Sequence, residues 1–85
     1  MKRQLGIQLI VLTGGFVYVG EVEIDGRWVE IVNATNLRVW GTTKGLGELQ
    51  SGPTINTTAD KCGIVLAPLH AVIHFIAAPG WKGKL

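Results

Sequence analysis

The stretch FVYVGEVEIDGRWVEIVN, residues 16–33, decides the fold of this chain. Apolar and polar residues alternate on both sides of Asp25-Gly26, which is the pattern of strands with one buried face. This dipeptide between two such runs predicts a two-residue hairpin turn of type I′, because both residues tolerate the positive φ angles that the turn requires. The predicted register places Val22 opposite Val29 on the core face.

Further strands are predicted on both sides of this hairpin. Before it, LGIQLIVLT (5–13) is rich in leucine and β-branched residues and ends at a Gly-Gly pair. After it, NLRVWG (36–41) and IVLA (64–67) are short strand-like runs. The segment LHAVIHFIA (69–77) fits either a strand or a helix with Pro68 at its first position. The number of preceding strands favours the strand.

Composition indicates a single small domain over residues 1–85 that is unusually apolar. Hydrophobic residues make up 47% of the chain and charged residues only 16%, against about 25% charged in an ordinary globular domain. A domain of this length has little interior in which to bury apolar side chains. We therefore expect a homo-oligomer, in which subunit contacts cover part of this surface.

Charge is unevenly distributed along the chain. Four of the eight lysines and arginines lie in predicted basic tails, residues 1–4 and 80–85, which leaves four cations against six carboxylates in the rest. A protein that follows a nucleic-acid backbone needs a basic stripe to neutralise many phosphates. This distribution argues against such a stripe and suits a ligand with one or two phosphates.

Cysteine content and apolar runs bear on the compartment. The single cysteine, Cys62, excludes an intrachain disulfide and indicates a reducing compartment. The runs 5–12 and 62–81 are the candidates for a signal peptide and a membrane span. Gln8 interrupts the first, and prolines and histidines interrupt the second. We therefore expect a cytoplasmic chain with no membrane association.

The irregular segment 41–63 begins within the least ordinary string, VWGTTKGLGEL at 39–49. Glycines let successive main-chain N–H groups converge on one anion. Threonine hydroxyls donate hydrogen bonds, a lysine adds charge, a tryptophan ring can stack on a base, and an arginine can clamp a phosphate bidentately. We therefore predict a binding site for a small anionic ligand formed by Arg38, Trp40, Thr42, Thr43, Lys44, Gly45 and Gly47.

The same segment also fits a structural role. Its string has neither the spacing of a Walker loop nor that of a dinucleotide-binding fingerprint. A loop of this length can fold back over the end of a barrel or join two subunits, with Leu46 and Leu49 as its apolar anchors. Both interpretations stay open, and they are compatible because pockets in small oligomers can lie between subunits.

Catalysis and metal binding have weaker support. His70 and His74 on one strand would lie about 13 Å apart, at about 3.3 Å per residue, which is too far for one metal ion; on a helix they would be neighbours. Cys62 and Ser51 are the candidate nucleophiles, and no spacing pairs either with a base. We expect no enzymatic activity, no catalytic residue, no metal and no cofactor.

The second face of the hairpin is acidic. The predicted register places Glu21 opposite Glu30 and Glu23 opposite Trp28. Like charges directly opposite each other destabilise strand pairing. We interpret this surface as a solvated face with Arg38 nearby, or as a contact site for a metal ion or a basic partner.

Two segments resemble the Sm/Hfq family of small β-barrels. GEVEIDGRWVEIVNAT (20–35) is similar to the first signature of that family, and PLHAVIHFI (68–76) is similar to the closing strand of Hfq. The resemblance and the order of elements imply an SH3/Sm-like barrel of five to six strands, with a long Gly/Thr-rich loop at 41–63. They also imply a ring-forming homo-oligomer whose edge strands pair between subunits, and that can bind RNA.

A second resemblance covers most of residues 16–76. NLRVWGTTKGLGEL, followed by GPT, DKCG and PLHAVI, is similar to a group of small uncharacterised bacteriophage proteins, and it implies a phage protein acting in the cytoplasm of an infected bacterial host. We expect a non-enzymatic protein that sequesters a small anionic nucleotide-derived ligand, such as a cyclic nucleotide immune signal, and so counteracts host defence. The alternatives are an Sm/Hfq-like RNA-binding ring and a protein-binding inhibitor of a host defence complex.

Overall fold

The computed structural model describes residues 2–85, which form five β-strands and three short 3₁₀ helices. The strands are β1 (Lys2–Leu12), β2 (Val17–Asp25), β3 (Trp28–Val39), β4 (Thr58–Pro68) and β5 (Val72–Ala77). The 3₁₀ helices are Leu46–Ser51, Leu69–Ala71 and Pro79–Trp81. In this part of the chain, no helix has the length and apolar character needed to cross a membrane.

All five strands belong to one antiparallel sheet with the order β4-β3-β2-β1-β5. The expected all-β class is confirmed, and residues 72–77 form a strand rather than a helix. The runs 27–33 and 36–41, predicted as two strands, are joined in the single strand β3. Within residues 2–85 the sheet is not closed, and β4 and β5 are its two edges.

The sheet bends where β2 and β3 pair around Gly20. The register shifts there because Asn33, with a φ of 53°, adds an extra residue to β3. A Cβ atom at Gly20 would lie 2.6 Å from Cγ2 of Ile31, so this close approach requires glycine. A bulge of this kind bends its strand and increases the local twist, which curves the sheet toward a barrel.

The hairpin turn lies one residue later than the predicted type I′ turn. Asp25 pairs with Trp28, so Gly26 and Arg27 are the two loop residues. Gly26 has a φ of 61° and Arg27 is not in the positive-φ region, as in a type II′ turn, which needs glycine at its first central position only. The predicted register is therefore wrong by two residues. Each residue keeps its predicted face, since side chains alternate with a period of two.

Two buried clusters lie on opposite faces of β1, because the adjacent residues Leu9 and Ile10 point to opposite sides of the strand. The cluster around Ile10 lies inside the curved sheet and contains Leu12, Val22, Val29, Ile31, Ala34 and Ala67. The cluster around Leu9 brings the sheet together with the loop and the C-terminal residues, and contains Val17, Val19, Leu37, Leu49, Ala78 and Trp81.

Both segments that the sequence predicts as basic tails contribute to the packed structure. Residues 2–4 form the start of β1 and pair with residues 23–25 of β2. Near the other end, the side chain of Trp81 is only 3% exposed. Strand pairing holds the first segment on the sheet, and burial of the Trp81 ring holds the second. The charged ends of their lysines and arginine can still extend into solvent.

Candidate functional site

The candidate ligand-binding residues lie at the end of β3 and in the loop Trp40–Thr57 that follows. This loop is shorter than the predicted segment 41–63, because β4 begins at Thr58. Residues 58–63, TADKCG, lack the apolar alternation that predicts a strand from sequence. They form one because β3 pairs with them along one side, and an exposed edge strand needs no buried apolar face.

Thr43 and Glu48 form a polar contact with two hydrogen bonds in the candidate site. The main-chain N–H of Thr43 donates to Oε2 of Glu48 at 3.3 Å, and the Thr43 hydroxyl donates to Oε1 at 3.1 Å. Both oxygens of one carboxylate are therefore held by one residue. Glu48 lies in the first turn of the Leu46–Ser51 helix, which places its side chain back toward the preceding loop.

Arg38 is engaged by a carboxylate from the neighbouring strand. Its Nε forms an ion pair with Oδ2 of Asp60, and its Nη2 donates to Oδ1 at 3.4 Å. The pair arises because residue 36 of β3 lies opposite Asp60, two residues from Arg38 on the same strand. Both side chains are largely exposed, so the pair orients the guanidinium and adds little to stability.

Trp40 is held at the surface by hydrogen bonds between the two ends of its loop. The Thr57 hydroxyl donates to the carbonyl of Trp40 at 2.7 Å, and the Thr54 hydroxyl donates to the carbonyl of Gly41 at 2.7 Å. The Trp40 side chain is 40% exposed. Its ring is thus available to a ligand while its backbone is fixed.

The remaining predicted site residues are less ordered by contacts. Thr42 is half-buried, and Lys44, Gly45 and Gly47 are exposed. The carbonyl of Gly45 accepts a hydrogen bond from the main-chain N–H of Glu48 at 3.2 Å. In residues 2–85, ion pairs within 4 Å involve Lys2 and Arg38 but not Lys44, so the Lys44 ammonium has no carboxylate at that distance.

The hydrogen bonds of the structure join the predicted site residues to residues outside the prediction and not to one another. Thr43 and Lys44 are adjacent in the chain, and among residues 2–85 no hydrogen bond or ion pair joins either residue to Arg38. Four contributors were outside the prediction: Glu48, Thr54, Thr57 and Asp60. The Thr-x-x-Thr spacing is typical of a hydroxyl-stabilised turn. No local signal identifies Asp60, which is 22 residues from Arg38.

The second half of the loop is structural. Leu49 is fully buried in the cluster around Leu9, and Leu46 packs against it. The indole N–H of Trp81 donates to the buried carbonyl of Leu49 at 2.7 Å. The structural interpretation is therefore supported for Leu46 and Leu49, which anchor the loop to the core. Ligand binding by the preceding residues stays a prediction.

Other candidate groups are dispersed. His70 lies in the Leu69–Ala71 helix and His74 in β5, both exposed. The Cys62 thiol is exposed and donates to the carbonyl of Asp60 at 3.3 Å. In the described part of the chain, no three His, Cys, Asp or Glu side chains come close enough to hold a metal ion.

Comparison with known proteins adds no relative: no family model, no curated protein and no solved structure matches this chain.

Proposed function

We propose that this protein is a non-enzymatic binding protein whose ligand is a small anionic, nucleotide-derived molecule held at Trp40 and residues 42–47. The observation that carries the proposal is the pair of hydrogen bonds from Thr43 to the two oxygens of Glu48. Donors that hold two oxygens of a carboxylate also suit two oxygens of a phosphate, because both anions accept strong charge-assisted hydrogen bonds.

In this proposal Glu48 occupies the anion position when no ligand is bound. An incoming phosphate replaces its carboxylate at the N–H and hydroxyl of Thr43, and the exposed ammonium of Lys44 supplies positive charge. The exposed ring of Trp40 offers a surface on which a base stacks. If the ligand carries a second phosphate, that phosphate replaces the Asp60 carboxylate at the guanidinium of Arg38, and Arg38 becomes part of the site.

A biological role follows from the resemblance of the Trp40 string to small bacteriophage proteins. In that setting, the ligand is a cyclic nucleotide immune signal of the bacterial host. The protein lowers the free concentration of the signal by holding it, which requires affinity and abundance but no chemical step. Sequestration in the host cytoplasm thereby counteracts defence.

The binding protein is further proposed to be a homo-oligomer. The open sheet has uncovered strands at both edges, and β5 presents Ile73 with 59% of its side chain exposed. Uncovered edges present free N–H and C=O groups that pair readily with another chain. Pairing of edges between copies would cover this surface, as the resemblance to ring-forming barrels implies.

Titration calorimetry with cyclic dinucleotides, cyclic ADP-ribose and pyrophosphate tests the ligand proposal. Glu48→Gln is expected to tighten binding about tenfold, which equals about 1.4 kcal/mol, because it removes the competing negative charge from Thr43. Thr43→Val is expected to weaken binding about tenfold, since it removes the hydroxyl donor. Glu30→Gln removes a carboxylate from β3 and serves as the matched control, with unchanged affinity.

Two outcomes contradict the proposal. One is the absence of heat for every probe with both the wild-type protein and Glu48→Gln. The other is tight binding to uridine- or adenine-rich RNA with a steep salt dependence and no binding of the small probes, which favours an RNA-binding ring instead.

A further inference from the structure

The outer face of the sheet carries two rows of side chains that cross β2, β3 and β4. In the first row, Trp28 lies between Asp25 and Pro68; in the second, Glu30 lies between Glu23 and Leu66. Residues directly opposite in antiparallel strands point to the same face. The intervening rows, which include Val29 and Ile31, point to the opposite side and are buried.

The apolar members of this face are uncovered in the described chain. Trp28 is 56% exposed, Leu66 is 62% exposed, and Ile64 on the same strand as Leu66 is 65% exposed. Exposed apolar groups bordered by polar residues are typical of interaction surfaces, and tryptophan is the residue type that most often dominates binding energy there. We call Trp28, Leu66, Glu23, Asp25 and Glu30 the outer patch.

The polar members of the outer patch are all carboxylates. Glu23 and Glu30 lie directly opposite each other, an arrangement that costs stability because like charges repel. The neighbouring cation is Lys2, whose Nζ lies 3.9 Å from Oε2 of Glu23, with a side chain that is mostly exposed. The Glu23 side chain is only 22% exposed, and Nε2 of Gln4 donates to its other oxygen at 3.5 Å. Among residues 2–85, Asp25 and Glu30 are therefore the carboxylates of the patch that have no hydrogen-bond or ion-pair partner.

A cleft next to the patch offers room for a long side chain. It has a volume of about 240 Å³ and is lined by Gln4, Gly6, Glu21, Val22, Glu23 and Val32. Two of these residues are glutamates and two are valines. A flexible aliphatic stem with a cationic head matches such a lining, because its stem contacts Val32 while its charge meets the carboxylates. The Val22 side chain points into the buried cluster around Ile10.

We infer that the outer patch docks a basic segment of another protein, with an arginine side chain against Trp28 and apolar side chains against Leu66. A guanidinium stacks on an indole and pairs bidentately with carboxylates, and both groups occur here in adjacent rows. A cation between Glu23 and Glu30 also relieves their repulsion. A second copy of this chain would bring the same carboxylates face to face, so charge complementarity selects a basic partner.

This inference is independent of the proposed ligand site, since the outer patch contains none of residues 38–48. The probe is a fluorescent twelve-residue peptide of alternating arginine and leucine, and its control is the same peptide with citrulline in place of arginine. Citrulline keeps the shape of the side chain and removes its charge. Binding is followed by fluorescence anisotropy at low and physiological ionic strength.

Two variants are expected to weaken binding of the arginine peptide about tenfold. Trp28→Ala removes the stacking surface, and Glu23→Gln with Glu30→Gln removes the charges together with their mutual repulsion. The double variant also loses the ion pair with Lys2, so circular dichroism is used to verify that it is folded. The matched controls, with unchanged affinity, are Phe16→Ala, at another exposed aromatic residue, and Ile55→Lys, which changes the net charge at a loop residue that is 99% exposed.

The inference is overturned if the citrulline peptide binds as tightly as the arginine peptide, because docking is then apolar only. It is also overturned if Ile55→Lys weakens binding as much as the patch variants do, because the affinity then depends only on the net charge of the protein. The inference is equally contradicted if the protein self-associates and Trp28→Ala abolishes that self-association, because a second copy then occupies this face. None of these results depends on nucleotide binding.

Discussion

At the scale of single residues, Gly20 determines how closely β2 and β3 approach each other. A Cβ atom there would lie 2.6 Å from Cγ2 of Ile31 and 2.9 Å from the carbonyl oxygen of Val32. Ile31 is fully buried and cannot move away without disturbing the cluster around Ile10. The main-chain oxygen cannot move without altering the bulge at Asn33.

Gly20→Ala is therefore expected to lower the free energy of unfolding by about 2 to 3 kcal/mol, as overpacking does in a close-packed interior. Urea denaturation followed by circular dichroism measures the change. Gly47→Ala is the control: a Cβ atom there meets nothing within 4 Å, so its effect should stay within about 0.5 kcal/mol. Equal losses in the two variants would contradict the assigned role of Gly20.

At the scale of elements, the 3₁₀ helices Leu46–Ser51 and Pro79–Trp81 act as one unit. Leu49 is fully buried, and its carbonyl accepts the hydrogen bond from the indole of Trp81. Residues 42–45 immediately precede the first of these helices. The geometry of Thr43 and Glu48 therefore depends on a contact with a distant part of the chain.

Trp81→Phe keeps an aromatic ring but leaves the buried Leu49 carbonyl without its donor. We expect the free energy of unfolding to fall by about 1 to 3 kcal/mol, the cost of an unsatisfied buried polar group. Amide hydrogen exchange should also accelerate at residues 46–52. Trp40→Phe changes a partly exposed indole and should leave both quantities nearly unchanged; similar exchange in the two variants would refute the anchoring role.

At the scale of the whole molecule, the apolar surface does not result from a loose fold. The radius of gyration is 11.9 Å, and a compact chain of this length is expected at about 12 Å. On the edge strand β5, Ile73 remains 59% exposed. Its exposure next to an unpaired strand edge is the reason to expect assembly between copies through β5.

Ile73→Lys is expected to dissociate the homo-oligomer, because a charge on an edge strand opposes pairing with another chain. Native mass spectrometry gives the number of subunits for the wild type and the variant. Ile55→Lys is the matched control: Ile55 is 99% exposed and lies in the loop that precedes β4, not on β5. A monomeric wild type, or an oligomer that withstands Ile73→Lys, would contradict assembly through β5.

The sequence by itself determined the all-β class, the central hairpin and the face that each hairpin residue presents. These properties follow from alternation between neighbouring residues, and alternation is local. Candidate site residues such as Thr43 and Trp40 can be named from the sequence because their chemistry depends on residue type, and their role stays a prediction. Leu46 and Leu49 were recognisable as anchors for the same reason.

Only the tertiary structure decided the register of the hairpin, the start of β4 at Thr58 and the partners of the site residues. The turn lies one residue later than predicted, with positive φ at Gly26 alone. Both the predicted and the observed turn leave every side chain on the same face of the sheet, so the alternation of residues cannot distinguish them and the pairing of the strands decides. Arg38 meets Asp60, and Leu49 meets Trp81, across 22 and 32 residues. Such contacts depend on how the whole sheet bends and pairs, which no local pattern encodes.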